Sequence, residues 1–126
     1  MDALEDRQLR AIVETARRRN RDRERETRIR EKRARAFLPG LVRAFREIDP
    51  DIRTIVLFGS LAENAVRGPD FDIDIAVRSG KYLQLVAWAL DQPFKIDVID
   101  IDDARLHIAE RIRDTGKVLY AAQERL

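Results

Sequence analysis

Residues 17–28 contain no apolar side chain, and they lie in a segment that has no proline or glycine before Pro39. Such a stretch cannot supply a hydrophobic core, whereas its Arg, Glu and Ala residues are good helix formers. The sequence therefore predicts a helical arm over residues 1–36 whose middle stays in solvent. Acid-to-base pairs four residues apart, such as Glu26 with Arg30, would support this rod-like helix.

The charge of the chain is divided between this arm and the rest. Residues 1–36 carry 13 Lys and Arg against 8 Asp and Glu, a net charge of +5, while residues 37–126 carry 12 against 15, a net charge of −3. A basic arm suits a helix that contacts a protein, a segment that binds RNA or DNA, or a solvated extension. Against nucleic acid, no aromatic residue precedes Phe37 to stack on bases. A short apolar stripe suits local helix pairing in a homodimer or hetero-oligomer, and it consists of Leu4, Leu9, Ile12 and Val13.

A compact domain is predicted over residues 37–126. The segment 37–40, Phe-Leu-Pro-Gly, interrupts the helical pattern, and apolar residues recur at helical spacing from Leu41 to Ile48. The later segments predict a mixed α/β (α+β) domain, with a sheet of about four strands flanked by helices. The predicted strands are residues 52–58, 71–77, 94–99 and 117–121, and the predicted helices are residues 81–90 and 104–114.

Composition excludes several kinds of site. The chain has no cysteine and one histidine, His107, which excludes a disulfide scaffold, a thiol nucleophile, a thiolate zinc site and a histidine cluster. No apolar run approaches the roughly 20 residues that cross a bilayer, and the charged N-terminus is unlike a signal peptide. We therefore expect a cytoplasmic protein without a membrane partner.

Three aspartates on neighbouring predicted strands require an explanation. Strict alternation places Asp72 and Asp74 on one strand face, and Asp97 stands among apolar neighbours in the next strand. Convergent carboxylates repel one another, and a hard divalent ion such as Mg²⁺ or Mn²⁺ between them would relieve the repulsion. The alternative interpretation is the ordinary solvent-exposed face of an antiparallel sheet. The Gly59-Ser60 turn favours the metal site over this alternative. Its backbone N–H groups and hydroxyl could bind the phosphates of a nucleotide whose Mg²⁺ the aspartates hold.

The full spacing resembles a known family. Gly59-Ser60, an eleven-residue spacer, Asp72-Ile73-Asp74 and a later apolar-flanked Asp97 look like the nucleotidyltransferase superfamily of DNA polymerase beta, and most of all its minimal nucleotidyltransferases. The resemblance implies a nucleotidyltransferase-type sheet in which Asp72, Asp74 and Asp97 hold two Mg²⁺ ions while the turn holds the terminal phosphates. It also implies metal-dependent transfer of a nucleoside monophosphate, AMP from ATP, to a hydroxyl of a protein or RNA.

The turn departs from the family pattern at two positions. Minimal nucleotidyltransferases commonly continue it as Gly-Ser-x-Ala-Arg-Gly, whereas Glu63 and Asn64 stand at the Arg and Gly positions here. Arg67 could supply the missing cation to the nucleotide. The resemblance further implies the antitoxin of a toxin–antitoxin pair with a HEPN-type partner. The alternative is a catalytically weak or inactive module of the same fold that neutralises such a partner by occlusion.

Three further residues have simpler interpretations. Lys95 lies two residues before Asp97 on the same strand face, where pairing with a carboxylate is favoured over binding a phosphate. We expect Trp88 in the core or an interface, and His107 at the surface or in packing rather than in catalysis.

Overall fold

The computed structural model describes residues 3–123 apart from the side chain of Leu4, so this member of the predicted apolar stripe lies outside the described residues. The helices are α1 (Ala3–Ile48), α2 (Gly59–Ala62), α3 (Tyr82–Leu90) and α4 (Leu106–Thr115), with a 3₁₀ turn at Ile101–Asp103. The strands are β1 (Thr54–Phe58), β2 (Ile73–Arg78), β3 (Ile96–Asp100) and β4 (Lys117–Ala121). The predicted mixed α/β (α+β) class with four strands is confirmed. The ends of the predicted strands and of the two later helices move by at most two residues.

Helix α1 runs without interruption through Pro39, so the predicted break over residues 37–40 is wrong. A proline inside a helix costs about 3 kcal/mol because it lacks an N–H donor and crowds the preceding turn. The surrounding side chains of Leu38, Leu41 and Phe45 are buried, and each such burial contributes about 1.5–3 kcal/mol. Packing of this helix face on the domain therefore outweighs the local penalty.

The first half of α1 stands in solvent. Residues 5–26 are exposed, and Thr27 is the first buried residue among the described side chains of the helix. The predicted pair of Glu26 with Arg30 is present, with 3.1 Å between nitrogen and oxygen. The prediction of a solvated rod is confirmed for this stretch, while the division of the chain at residue 36 stays a prediction because the helix crosses it. No helix within residues 3–123 is apolar and long enough to cross a membrane.

The sheet has the strand order β3-β2-β1-β4. Strands β2 and β3 are parallel, whereas β1 is antiparallel to both β2 and β4. Strand β1 is rich in the β-branched and aromatic residues that favour strands, and it is almost wholly buried. Because of these directions, the C-terminal end of β1 lies beside the N-terminal ends of β2 and β3.

Both faces of the sheet are covered, because the side chains of each strand alternate between them. One face packs against α1 and α3 in the main core, and the other packs against α4 in a smaller cluster. The main core contains the sheet residues Ile55, Leu57, Ile73, Ile75 and Val77, and the smaller cluster contains Val56, Phe58, Ala76 and Ile112.

The expected positions of Trp88 in the core and of His107 at the surface are confirmed. Trp88 is half-buried in the main core, where its ring centroid lies 6.0 Å from that of Phe37 and 5.6 Å from that of Phe45. His107 is exposed on α4.

Candidate active site

The three predicted aspartates lie where β1 ends and where β2 and β3 begin. Asp74 of β2 pairs in register with Asp97 of β3, and Phe58 at the end of β1 lies opposite Asp74 on its other side. Residues in register on neighbouring strands point to the same face of a sheet. Asp74 and Asp97 therefore share a face, and Asp72 stands just before β2.

The carboxylates lie close enough to act on one another. Burial, the negative charge of Asp97 and then that of Asp72 raise the pKa of Asp74 from 3.8 to about 6, and the positive charge of Arg111 opposes this rise. Helix α4 packs on the same sheet face through Ile112. The interpretation of the face as simply solvent-exposed is therefore wrong at Asp74, which is half-buried, although Asp97 is exposed.

Gly59 places the turn directly against Asp74. Its φ of 77° lies in the left-handed region, and a Cβ atom at this position would overlap the Asp74 carboxylate. Only glycine therefore allows the backbone to approach so closely. Ser60 follows in the first turn of α2 and is half-buried, with its carbonyl accepting a hydrogen bond from the Ala65 N–H at 2.9 Å.

The structure accounts for both residues that depart from the family pattern of the turn. Asn64 has a suitable backbone conformation, and Glu63 has an ion-pair partner. Asn64 adopts a φ of 55°, the left-handed conformation that glycine adopts most easily and asparagine tolerates. The Glu63 carboxylate accepts a hydrogen bond from Arg111 Nε of α4 at 2.8 Å, and Arg111 Nη2 lies 2.7 Å from the same oxygen in an ion pair. Asn64 thus has the backbone geometry of a glycine, and Arg111 supplies a positive charge beside the turn.

The arm helix holds the turn from the opposite side. Arg35 of α1 donates hydrogen bonds to the Leu61 carbonyl at 2.9 Å and to the Asn64 side chain at 2.8 Å, and it also pairs with Glu31 at 3.1 Å. The turn after β1 is therefore clamped between α1 and α4.

The two other cations considered from the sequence lie differently. Lys95 pairs with Asp72 at 3.5 Å, which confirms the prediction that it meets a carboxylate. Arg67 is exposed on the loop before β2, and it makes no ion pair with the residues that the structure describes. The role of Arg67 in nucleotide binding stays a prediction.

A cavity of about 590 Å³ opens beside Asp72, between α1 and the segments that lead into β2 and β3. Arg30, Arg33 and Lys95 supply its positive charge, and Phe71 and Phe94 supply apolar surface. Because Asp72 is also one of the three clustered aspartates, a molecule in this cavity would lie next to the candidate active site.

The aspartates offer only oxygen ligands, which suits Mg²⁺ or Mn²⁺. Burial is the largest cause of the raised pKa of Asp74, followed by repulsion from Asp97 and Asp72, and a bound cation would relieve this repulsion. Within residues 3–123, His, Cys, Asp and Glu side chains form no group of three already arranged to hold a metal ion. The assignment of Asp72, Asp74 and Asp97 as metal ligands stays a prediction.

Reasoning from the sequence missed Arg111. Its partner Glu63 lies 48 residues earlier in the chain, and nothing in the helical pattern distinguishes Arg111 from Arg113, the other arginine of α4. Only the packing of α4 on the sheet decides which of its residues reach the turn.

Comparisons with known proteins agree with this geometry. The family model for Polymerase beta, Nucleotidyltransferase, matches residues 42–125. A chain of a toxin–antitoxin complex crystallised with AMP-PNP is 26% identical, with a TM-score of 0.55, covering 68% of this chain and 74% of that one. A chain of the MntA–HepT toxin–antitoxin complex is 24% identical, with a TM-score of 0.51, covering 70% and 73%. No curated protein matches.

Proposed function

The chain belongs to the polymerase beta nucleotidyltransferase family, and we propose that it transfers AMP from ATP to a hydroxyl group of a protein or RNA with the help of divalent metal ions. The observation that carries this proposal is the position of Asp74 against the Gly59 turn, with Asp72 and Asp97 beside it. The choice of ATP is supported by the similar toxin–antitoxin complex that was crystallised with AMP-PNP.

Each residue has a distinct part in the proposed reaction. The backbone of Gly59 and the hydroxyl of Ser60 bind the terminal phosphates, while Asp72, Asp74 and Asp97 hold the metal ions. Bound Mg²⁺ supplies positive charge that orients the triphosphate and stabilises the charge that develops during transfer. The acceptor hydroxyl gives up its proton to water, and its oxygen bonds to the α-phosphorus. The bond between the α-phosphorus and the oxygen that bridges to the β-phosphorus breaks, and pyrophosphate leaves.

The acceptor in this proposal is carried by a HEPN-type partner protein. Support comes from the resemblance to minimal nucleotidyltransferases and from the toxin–antitoxin complex similar to this chain. The sheet domain also leaves little surface for a separate acceptor-binding region, since α1, α3 and α4 cover its faces. The cavity beside Asp72 provides a place for the acceptor segment.

A non-catalytic module that neutralises its partner by occlusion is the second candidate. Glu63 favours it, because an acidic side chain beside the turn opposes the binding of phosphates. The pairing of Glu63 with Arg111 weakens this argument, since it neutralises the acid.

Labelled ATP separates the two candidates. The protein is incubated with Mg²⁺, labelled ATP and a HEPN-type protein, in parallel with the double variant Asp72→Asn/Asp74→Asn. Transfer of label by the wild type and its loss in the double variant are expected. The exposed Asp103→Asn serves as the matched control and should retain transfer. Protease and ribonuclease digestion of the labelled product then distinguish a protein acceptor from RNA. Absence of label, with the partner still neutralised by the double variant, would favour occlusion.

A further inference from the structure

Arg111 and Glu63 form an ion pair at the edge of the candidate site. Both donors, Nε and Nη2, reach the same Glu63 oxygen, at 2.8 Å and 2.7 Å. Glu63 directly ends α2, and its N–H donates to the Gly59 carbonyl at 3.0 Å. Glu63 therefore lies one helical turn after the glycine that touches Asp74, and its carboxylate holds the Arg111 guanidinium.

This pair can be exchanged for another anion. The Arg111 side chain is 47% exposed and the Glu63 side chain 29% exposed, so water and salt screen their attraction and the pair contributes little to folding. A guanidinium binds phosphate oxygens with the same forked geometry that it uses for a carboxylate. A polyphosphate that enters beside the turn would therefore compete directly with Glu63.

The other cations near the turn are less suited to this role. Arg35 is already bonded to the Leu61 carbonyl and the Asn64 side chain, which fixes it to the far side of the turn. Lys95 pairs with Asp72 and lines the cavity on the α1 side. The charge of Arg111, in contrast, acts on Asp74 itself.

We infer that Arg111 binds the β- and γ-phosphates of the nucleoside triphosphate, and that Glu63 is an internal competitor that must release it. The inference rests on the proposed function and adds a binding residue and a built-in restraint to that site. The chain thus carries the phosphate-binding arginine on α4 rather than on the turn. Glu63 lowers the affinity for nucleotide, because the phosphates must displace it from Arg111.

Affinity measurements test this assignment. Binding of ATP and of AMP, each with Mg²⁺, is measured by titration calorimetry for the wild type, Arg111→Ala, Glu63→Gln and Arg35→Ala. Loss of a charge-assisted contact should weaken ATP binding by about tenfold or more in Arg111→Ala. Removal of the competing charge should tighten ATP binding several-fold in Glu63→Gln. Binding of AMP, which lacks the β- and γ-phosphates, should change little in both.

The opposite signs distinguish a phosphate site from a structural clamp. If the pair only holds the turn, Arg111→Ala and Glu63→Gln break the same contact and should both weaken ATP binding, as should Arg35→Ala, which removes the clamp on the other side. That result would overturn the inference. Thermal melts verify that each variant is folded, and Arg111→Gln replaces Arg111→Ala if the latter does not fold.

Failure of the proposed function gives a different result. If neither the wild type nor Glu63→Gln binds ATP, both the proposed function and this inference are wrong. If the wild type binds ATP and Arg111→Ala binds it equally well, only the role of Arg111 is wrong. If Glu63→Gln binds ATP and the wild type does not, the restraint by Glu63 is supported.

Discussion

Replacing Asp74 with asparagine should stabilise the fold at neutral pH while removing function. The folded chain raises the pKa of Asp74 to about 6, from 3.8, first through burial and then through the charges of Asp97 and Asp72. Below about pH 4 the folded and the unfolded chains both carry a protonated Asp74. Between about pH 4 and pH 6 only the unfolded chain releases the proton, so the wild type loses stability as the pH rises and stays at the lower level above pH 6.

The size of this effect follows from the pKa. A change from 3.8 to about 6 corresponds to about 3 kcal/mol as an upper bound. Because Asp74 is only half-buried, solvent screening reduces this value, and we expect a gain of about 1 kcal/mol for Asp74→Asn at pH 7. For a chain of this size, the gain corresponds to about 4 °C in Tm.

Thermal and urea unfolding between pH 4 and pH 8, in EDTA, measure this gain. The difference between Asp74→Asn and the wild type should be close to zero at pH 4, grow to pH 6 and then stay constant. The control is Asp70→Asn, whose side chain is 95% exposed and should give no gain. Added Mg²⁺ should raise the Tm of the wild type more than that of Asp74→Asn. An asparagine variant that is less stable than the wild type at pH 7 would refute the reasoning.

Three further predictions concern the folding of the chain. Gly59→Ala should lower the free energy of unfolding by about 1–3 kcal/mol in urea titrations, because of the positive φ and the overlap with Asp74. Phe45→Ala should cost about 3–5 kcal/mol in the same assay, whereas Leu9→Ala on the exposed half of α1 should stay within about 0.5 kcal/mol. Pro39→Ala restores a helical N–H, so it should raise the free energy of unfolding by up to about 3 kcal/mol and raise the Tm. An unchanged or lower Tm would contradict the account of α1.

The fold could be predicted largely because the strands have clear local patterns. The apolar run that ends at Phe58 and the alternation from Ile73 to Val77 both specify strands, and the structure has them within two residues of the predicted ends. The predicted helix break is wrong because Pro39 alone does not decide where α1 ends; the packing around it does. Burial of Leu41 and Phe45 depends on the whole domain and cannot be read from the local sequence.

The candidate site was predictable in part for the same reason. The pairing of Asp74 with Asp97 needed only the alternation of two strands, provided that they are neighbours. The pairing that neutralises Glu63 could not be predicted, because its partner Arg111 comes from a helix 48 residues later in the chain. From the sequence alone, Glu63 and Asn64 in the turn indicate a weakened phosphate site. In the structure Glu63 pairs with Arg111, and Asn64 adopts a conformation that suits the turn.

The continuity of α1 affects how a small domain could bind a large acceptor protein. A break over residues 37–40 would have left Arg30 and Arg35 on a hinged arm, free to move relative to the sheet. The continuous helix instead fixes Arg35 to the turn and Arg30 to the cavity beside Asp72, while residues 5–26 extend about 33 Å into solvent. A partner protein seated on that stretch would have a fixed direction toward the cavity. Its acceptor hydroxyl could then reach the site without a second domain.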